Sequence, residues 1–169
     1  VIFTAVSKGL NSNVKMKDSG TKWLRLIPET WGVSKISNVY TLRNTKVSDF
    51  DYPPLSVTMK GVVPQLETAA KTNAHDDRKL VKKGDFAINS RSDRRGSCGI
   101  ADKDGSVSLI NTILCPKGEM NPRYYNWLFH TVEFADEFYA LAETAAKTGE
   151  PIARHMAYEF PDEGFECEN

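Results

Sequence analysis

Between Ser90 and Ser97 the chain places three arginines, three serines and one aspartate within eight residues. Arginine presents a planar fork that matches phosphate oxygens and the O6/N7 edge of guanine. Serine hydroxyls (Ser90, Ser92, Ser97) and backbone N–H groups freed by Gly96 suit phosphate contacts. Asp93 sits among Arg91, Arg94 and Arg95, where it either holds an arginine in place or accepts from a cytosine amino group. Lys60, in a turn, and Lys71, Arg78, Lys79, Lys82 and Lys83 extend the basic set. The chemistry this implies is polyanion binding rather than bond-making.

Catalytic patterns are weak by comparison. Gly96-Ser97-Cys98-Gly99 has the wrong spacing for a dinucleotide fingerprint and lacks the Lys-Ser/Thr of a phosphate loop. His75, His130 and His155 lie far apart and match no metal-ligand spacing. Cys98 stands close to Arg94 and Arg95, but no histidine accompanies it, so it reads as structural. Asn121-Pro122-Arg123-Tyr124 departs from the N-P-P-Y motif of amino-methyltransferases by Arg123, and no Gly-rich cofactor loop precedes it. It reads as a helix cap. Pro161-Asp162 with Glu166 and Glu168 lacks the lysine of a nuclease motif and reads as a tail. The expectation is therefore no catalytic residue, no cofactor (neither S-adenosylmethionine nor ATP) and no metal.

The elements that must position the arginines are legible in part. Residues 1–34 read as an extended, turn-rich lead-in with Trp23, Leu24, Leu26, Ile27 and Trp31 as apolar anchors. Residues 54–64 read as two short strands around Lys60-Gly61. Residues 66–79 are polar, with a short helix at their start. Phe86–Asn89 is a strand before the arginine loop, and Cys98–Ala101 a strand after it. Asp104-Gly105 between alternating runs signals a hairpin, and Ser106–Cys115 is one long strand or two. Residues 122–148 are helical, capped by Asn121 with Pro122 in the first turn. Tyr124, Trp127, Leu128, Thr131, Ala135, Phe138, Leu141, Ala142 and Ala145 form the apolar face, with a break near His130–Glu133. Gly149-Glu150-Pro151 ends the helix, and the acidic residues 160–169 fray.

With 169 residues, 40% hydrophobic and 26% charged, the composition fits one globular domain and excludes disordered or collagen-like classes. No apolar run approaches the roughly 20 residues of a membrane helix. Val1 in place of an initiator Met leads to the expectation that the chain is a piece of something longer. Three cysteines without a C-x-x-C spacing argue against a disulfide framework and for a reducing, cytoplasmic setting. The neutral total hides an asymmetry: residues 1–103 carry 18 Lys/Arg against 10 Asp/Glu, and residues 104–169 carry 4 against 12. That split predicts a basic face for a polyanion, with the acidic stretch Glu133–Glu143 and the tail lying opposite the arginine loop.

Val6-Ser7-Lys8-Gly9-Leu10, Val14-Lys15-Met16-Lys17-Asp18-Ser19-Gly20, Trp23, Ile27-Pro28 and Trp31 resemble the junction where a conserved helical region enters a target-recognition domain in the specificity subunit of type I restriction–modification enzymes. Leu55–Thr58, Gly61–Pro64, Val81–Asn89, Gly99 and Gly105–Ser108 resemble the core of such a domain. The likeness spans roughly residues 3–148. It implies a single α/β (α+β-like) domain with a twisted, mixed sheet and flanking helices, reading one half of a bipartite double-stranded DNA target. Residues 1–22 then form the helical exit and linker, 23–150 the recognition domain and 151–169 an acidic tail. Catalysis would belong to separate methyltransferase and restriction subunits, bound through long helices that are absent here. The other readings of the residues are a small metal-dependent nuclease and a protein-interaction module.

Overall fold

The computed structural model describes residues 2–65 and 75–148. The chain starts with helix α1 (Ile2–Lys8), followed by strands β1 (Met16–Asp18) and β2 (Leu26–Pro28). Four short strands follow: β3 (Tyr40–Leu42), β4 (Lys46–Val47), β5 (Leu55–Thr58) and β6 (Gly61–Pro64). Then come β7 (Arg78–Val81), β8 (Phe86–Asn89), β9 (Cys98–Ile100), β10 (Gly105–Ser108) and β11 (Asn111–Pro116). Helices α2 (Pro122–Phe129) and α3 (Val132–Thr148) complete the described chain. The architecture is mixed α and β, largely sheet.

The strands form a four-stranded sheet ordered β3-β11-β8-β9, a three-stranded sheet ordered β10-β7-β4, and the hairpins β1-β2 and β5-β6. Every strand pair among the described residues is antiparallel, and one isolated parallel bridge joins Pro54 to Ser106. This corrects the expectation of one mixed sheet. A parallel pair needs a long crossover, usually a helix, whereas the stretch from β8 to β11 offers only short links.

The hairpin signal at Asp104-Gly105 is overridden as well. β9 pairs with β8, while β10 turns away to pair with β7, so the Asp-Gly step connects two sheets rather than two partners. The 54–64 hairpin forms where expected, with Thr58 Oγ1 donating to the Gly61 carbonyl at 3.0 Å across the turn. Ser106–Cys115 resolves into two strands.

The helical segment breaks at His130–Thr131, within the stretch expected. Asn121 Oδ1 accepts from the N–H groups of Arg123 and Tyr124 at 3.1 and 3.3 Å, and Pro122 occupies the first turn. Thr131 caps α3 by accepting from Phe134 N, 3.3 Å from its Oγ1. Within the lead-in that composition reads as extended, α1 is a helix at the place where the resemblance implies a helical exit, and the Tyr124 hydroxyl donates to the Val6 carbonyl at 2.8 Å. The hairpin β1-β2 has one strand on each side of position 22. Trp23 packs edge-on against Phe134, with ring centroids 6.0 Å apart. The expected helix in 66–79 begins in residues outside those described, as does the acidic tail.

Two cores hold the sheets. One is aromatic: Tyr40, Phe86, Phe129, Phe134, Phe138 and Tyr139 are all buried, and Phe129 stacks on Phe134 at 4.3 Å. The other is aliphatic, with Leu55 and Val57 of the β5-β6 hairpin and Val81 and Val107 of the three-stranded sheet meeting Ile113 of the large sheet. The expected helical face is only partly right, because Trp127 is about half exposed while Phe129, Phe134 and Tyr139 are buried. A buried salt bridge ties the large sheet together: Arg43 Nε lies 2.7 Å from Asp85 Oδ2, with both side chains almost fully enclosed.

Candidate nucleic-acid interface

The arginine loop leaves β8 at Asn89 and re-enters the sheet at Cys98. It is a single 3-10 turn, Ser92–Arg94, closed by Gly96 at φ +77°, a backbone region that favours glycine. Asn89 N–H donates to the Ser97 carbonyl at 2.9 Å and Ser97 N–H to that of Arg94 at 3.0 Å, so the loop is narrow at its base. Arg91, Asp93, Arg94 and Arg95 are exposed, as expected.

Each arginine has a carboxylate partner. Arg91 grips Asp93 with Nε and Nη2 at 3.0 and 3.4 Å, and Arg94 Nε lies 3.7 Å from the same carboxylate. Asp93 therefore hydrogen-bonds one guanidinium and lies beside a second. Arg95 Nη1 donates to Asp136 Oδ1 at 2.9 Å, and its guanidinium carbon sits 5.6 Å from the centre of the Tyr139 ring. This overturns the expected separation of charges: α3 packs beside the arginine loop, not opposite it. Net charge summed over half a chain carries no information on which turn of a helix faces a given loop. Exposed pairs of this kind contribute roughly 0–1 kcal/mol, so a phosphate can displace them.

The loop forms one wall of a cleft of about 860 Å³. Val57 and Met59 of the β5-β6 hairpin line a second side, and Ile110 with Asn111 a third. Three exposed arginines (Arg91, Arg94, Arg95) against two aspartates (Asp77, Asp93) make the lining positive. The hairpin reaches this position by direct backbone contact. A Cβ on Gly99 of β9 would lie 2.7 Å from the Gly61 Cα, so only glycine permits the approach.

The remaining predicted residues scatter. Lys60 is exposed at the hairpin turn beside Met59. Arg78 does not extend the basic surface: it is buried, its Nε donating to Ser106 Oγ at 2.9 Å and Nη2 to the Ser106 carbonyl at 3.0 Å. Burial lowers its guanidinium from the usual value. Lys79 is half-buried, with Nζ on the Asn111 carbonyl at 2.7 Å, and burial lowers it too. They are adjacent at the start of β7, ahead of buried Leu80 and Val81, and β7 is the central strand of its sheet, between β10 and β4. Ser90 shares a hydrogen bond with Thr112 at 2.9 Å between hydroxyl oxygens, and Ser97 is buried. Neither hydroxyl is presented at the loop tip. Tyr139 and Asp136 were invisible as site residues in the sequence, because only the tertiary fold brings α3 to the loop.

Cys98 is buried beneath the loop, and burial pushes its thiol up to about 12. The neighbouring arginines do not activate it, because desolvation of the thiolate dominates. The folded chain should therefore leave Cys98 unmodified by iodoacetamide at about pH 8, while the unfolded chain is labelled within minutes. Rapid labelling of native Cys98, read by peptide mass spectrometry, would contradict this placement.

Among the described residues, no three His, Cys, Asp or Glu side chains converge as a metal set, and no helix is long and apolar enough to cross a membrane. No protein-family model matches the chain, and no curated protein is significantly similar to it.

Proposed function

We propose that this chain is a DNA-reading domain that recognises one half of a bipartite duplex target, as the specificity subunits of type I restriction–modification enzymes do. On this reading it catalyses nothing itself. Methyl transfer and cleavage belong to methyltransferase and restriction subunits, in the cytoplasm. One observation carries the reading: three exposed arginines on a single short loop, two of them paired with Asp93, line a positively charged cleft. Preorganised guanidinium forks suit both phosphate and guanine edges. Exposed Met59 and Ile110 add an apolar surface able to meet a thymine methyl group.

The test is direct titration of the chain with a mixed-sequence DNA duplex of about 30 base pairs between about 50 and 200 mM salt. Three phosphate contacts give a log–log slope of about −2.7, and binding should weaken about 40-fold across that range. A single module buries only roughly 600–1,000 Å² on DNA, so the affinity of the chain alone should be modest. Binding that is absent at low salt, or indifferent to salt, sinks the proposal and favours a protein-interaction role. Metal-dependent cleavage of the duplex would instead favour a nuclease.

A further inference from the structure

Tyr139 lies in the aromatic core with about 1% of its surface exposed, yet its hydroxyl reaches out of that core. The oxygen lies 2.6 Å from the Asn89 carbonyl and 3.0 Å from the Arg94 carbonyl. Those carbonyls belong to the residue that ends β8 and to the last residue of the 3-10 turn. One hydroxyl has one proton, so the two acceptors share it. Burial, the leading cause, pushes the phenol up to about 12, so it remains a donor at physiological pH. The same ring carries Arg95, whose guanidinium is held from the other side by Asp136, three residues earlier on α3.

We infer that Tyr139 is a positioning residue for sequence discrimination, acting as a latch from α3 that fixes the span from Asn89 to Arg94 and so the directions of Arg91 and Arg94. This rests on the DNA-reading role proposed above. A loosened loop keeps its three positive charges and still meets phosphates, because that attraction does not depend on base sequence. Base edges are different, since a bidentate fork must arrive in one orientation. The latch therefore acts on discrimination and leaves general affinity nearly untouched.

The experiment compares the full chain with Tyr139→Phe, which keeps the ring and removes the donor. Without DNA, amide exchange at Arg94 and Ser97 should accelerate by about ten-fold, while β8–β11 amides change by less than about two-fold. Unchanged exchange in the loop overturns the latch. With a randomised duplex pool, enrichment of the selected sequence should fall by about ten-fold, while affinity for a fixed mixed-sequence duplex stays within about two-fold. Equal enrichment, or parallel loss of both, overturns the inference. p-Aminophenylalanine at position 139 restores a donor and should recover the enrichment. If the wild-type chain enriches no sequence, the DNA reading itself fails, and the exchange result still reports whether the latch holds the loop. Should Tyr139→Phe not fold, the wild-type hydroxyl proton decides: slow exchange supports the latch, and free exchange overturns it.

Discussion

Replacing Arg43 with leucine should cost about 3–5 kcal/mol of stability, the largest loss expected from any single substitution considered for this protein. Asp85 accepts from Arg43 at 2.7 and 3.2 Å and from the Lys82 backbone N–H at 2.8 Å, and its side chain is about 3% exposed. Removing the guanidinium leaves a buried carboxylate with one donor, far too few for a charge out of water. The pair also joins distant parts of the large sheet. Arg43 follows β3 and donates its backbone N–H to Ile113 of β11, while Asp85 precedes β8. For a domain of this length each kcal/mol moves the melting temperature by roughly 2–4 °C, so Arg43→Leu should melt roughly 6–20 °C lower. Arg43→Leu combined with Asp85→Leu should recover part of the loss, because an apolar pair of similar volume often matches a buried ion pair. The recovery is incomplete, since the Lys82 N–H loses its acceptor. Calorimetric scans of the three proteins check this, and a single variant melting within about 2 °C of wild type would show that the pair contributes nothing.

Replacing Arg91, Arg94 and Arg95 together with alanine should leave the fold intact and remove most of the salt dependence of DNA binding. All three side chains are more than half exposed, and exposed ion pairs of this kind contribute little to stability. Three lost phosphate contacts change the log–log salt slope by about 2.7, so the wild-type chain should lose about 40-fold more affinity than the variant between about 50 and 200 mM salt. Asp136→Asn should act in the opposite direction. It frees Arg95 from its carboxylate and should tighten non-specific binding by up to about five-fold, the value of an exposed ion pair. Fluorescence anisotropy over a salt series separates the two effects. A triple variant with the wild-type slope would falsify the assignment of the loop to DNA.

Local chemistry was legible in the sequence, and distant pairing was not. The Asn121-Pro122 cap and the 54–64 hairpin depend on residues within a few positions of one another, and both formed as read. The Asp104-Gly105 turn was misread because a turn signal states that the chain reverses, not which strand it meets next. β7, some two dozen residues earlier, competes better for β10 than its sequence neighbour β9 does. The arginine loop was visible as a cluster of charge, and its exposure followed. Its restraints were not: Asp136 and Tyr139 are 41 and 45 residues from the loop residues they bond, Arg95 and Arg94. Arg78 and Lys79 show the same limit, since a basic side chain in a strand reads alike whether its face is open or covered by a neighbouring sheet.

On the proposed DNA-reading role, the close approach of Gly61 to Gly99 has a consequence for how the domain could change its target. The β5-β6 hairpin is seated where the two backbones touch, with no side chain between them at that point. Its turn, Met59 and Lys60, points away from the seat and is exposed. The part that grips and the part that faces a ligand are thus separate along only three residues of chain. The turn can be rewritten without disturbing its mounting, as type is exchanged in a fixed frame, and new lettering there need not be matched by repacking underneath.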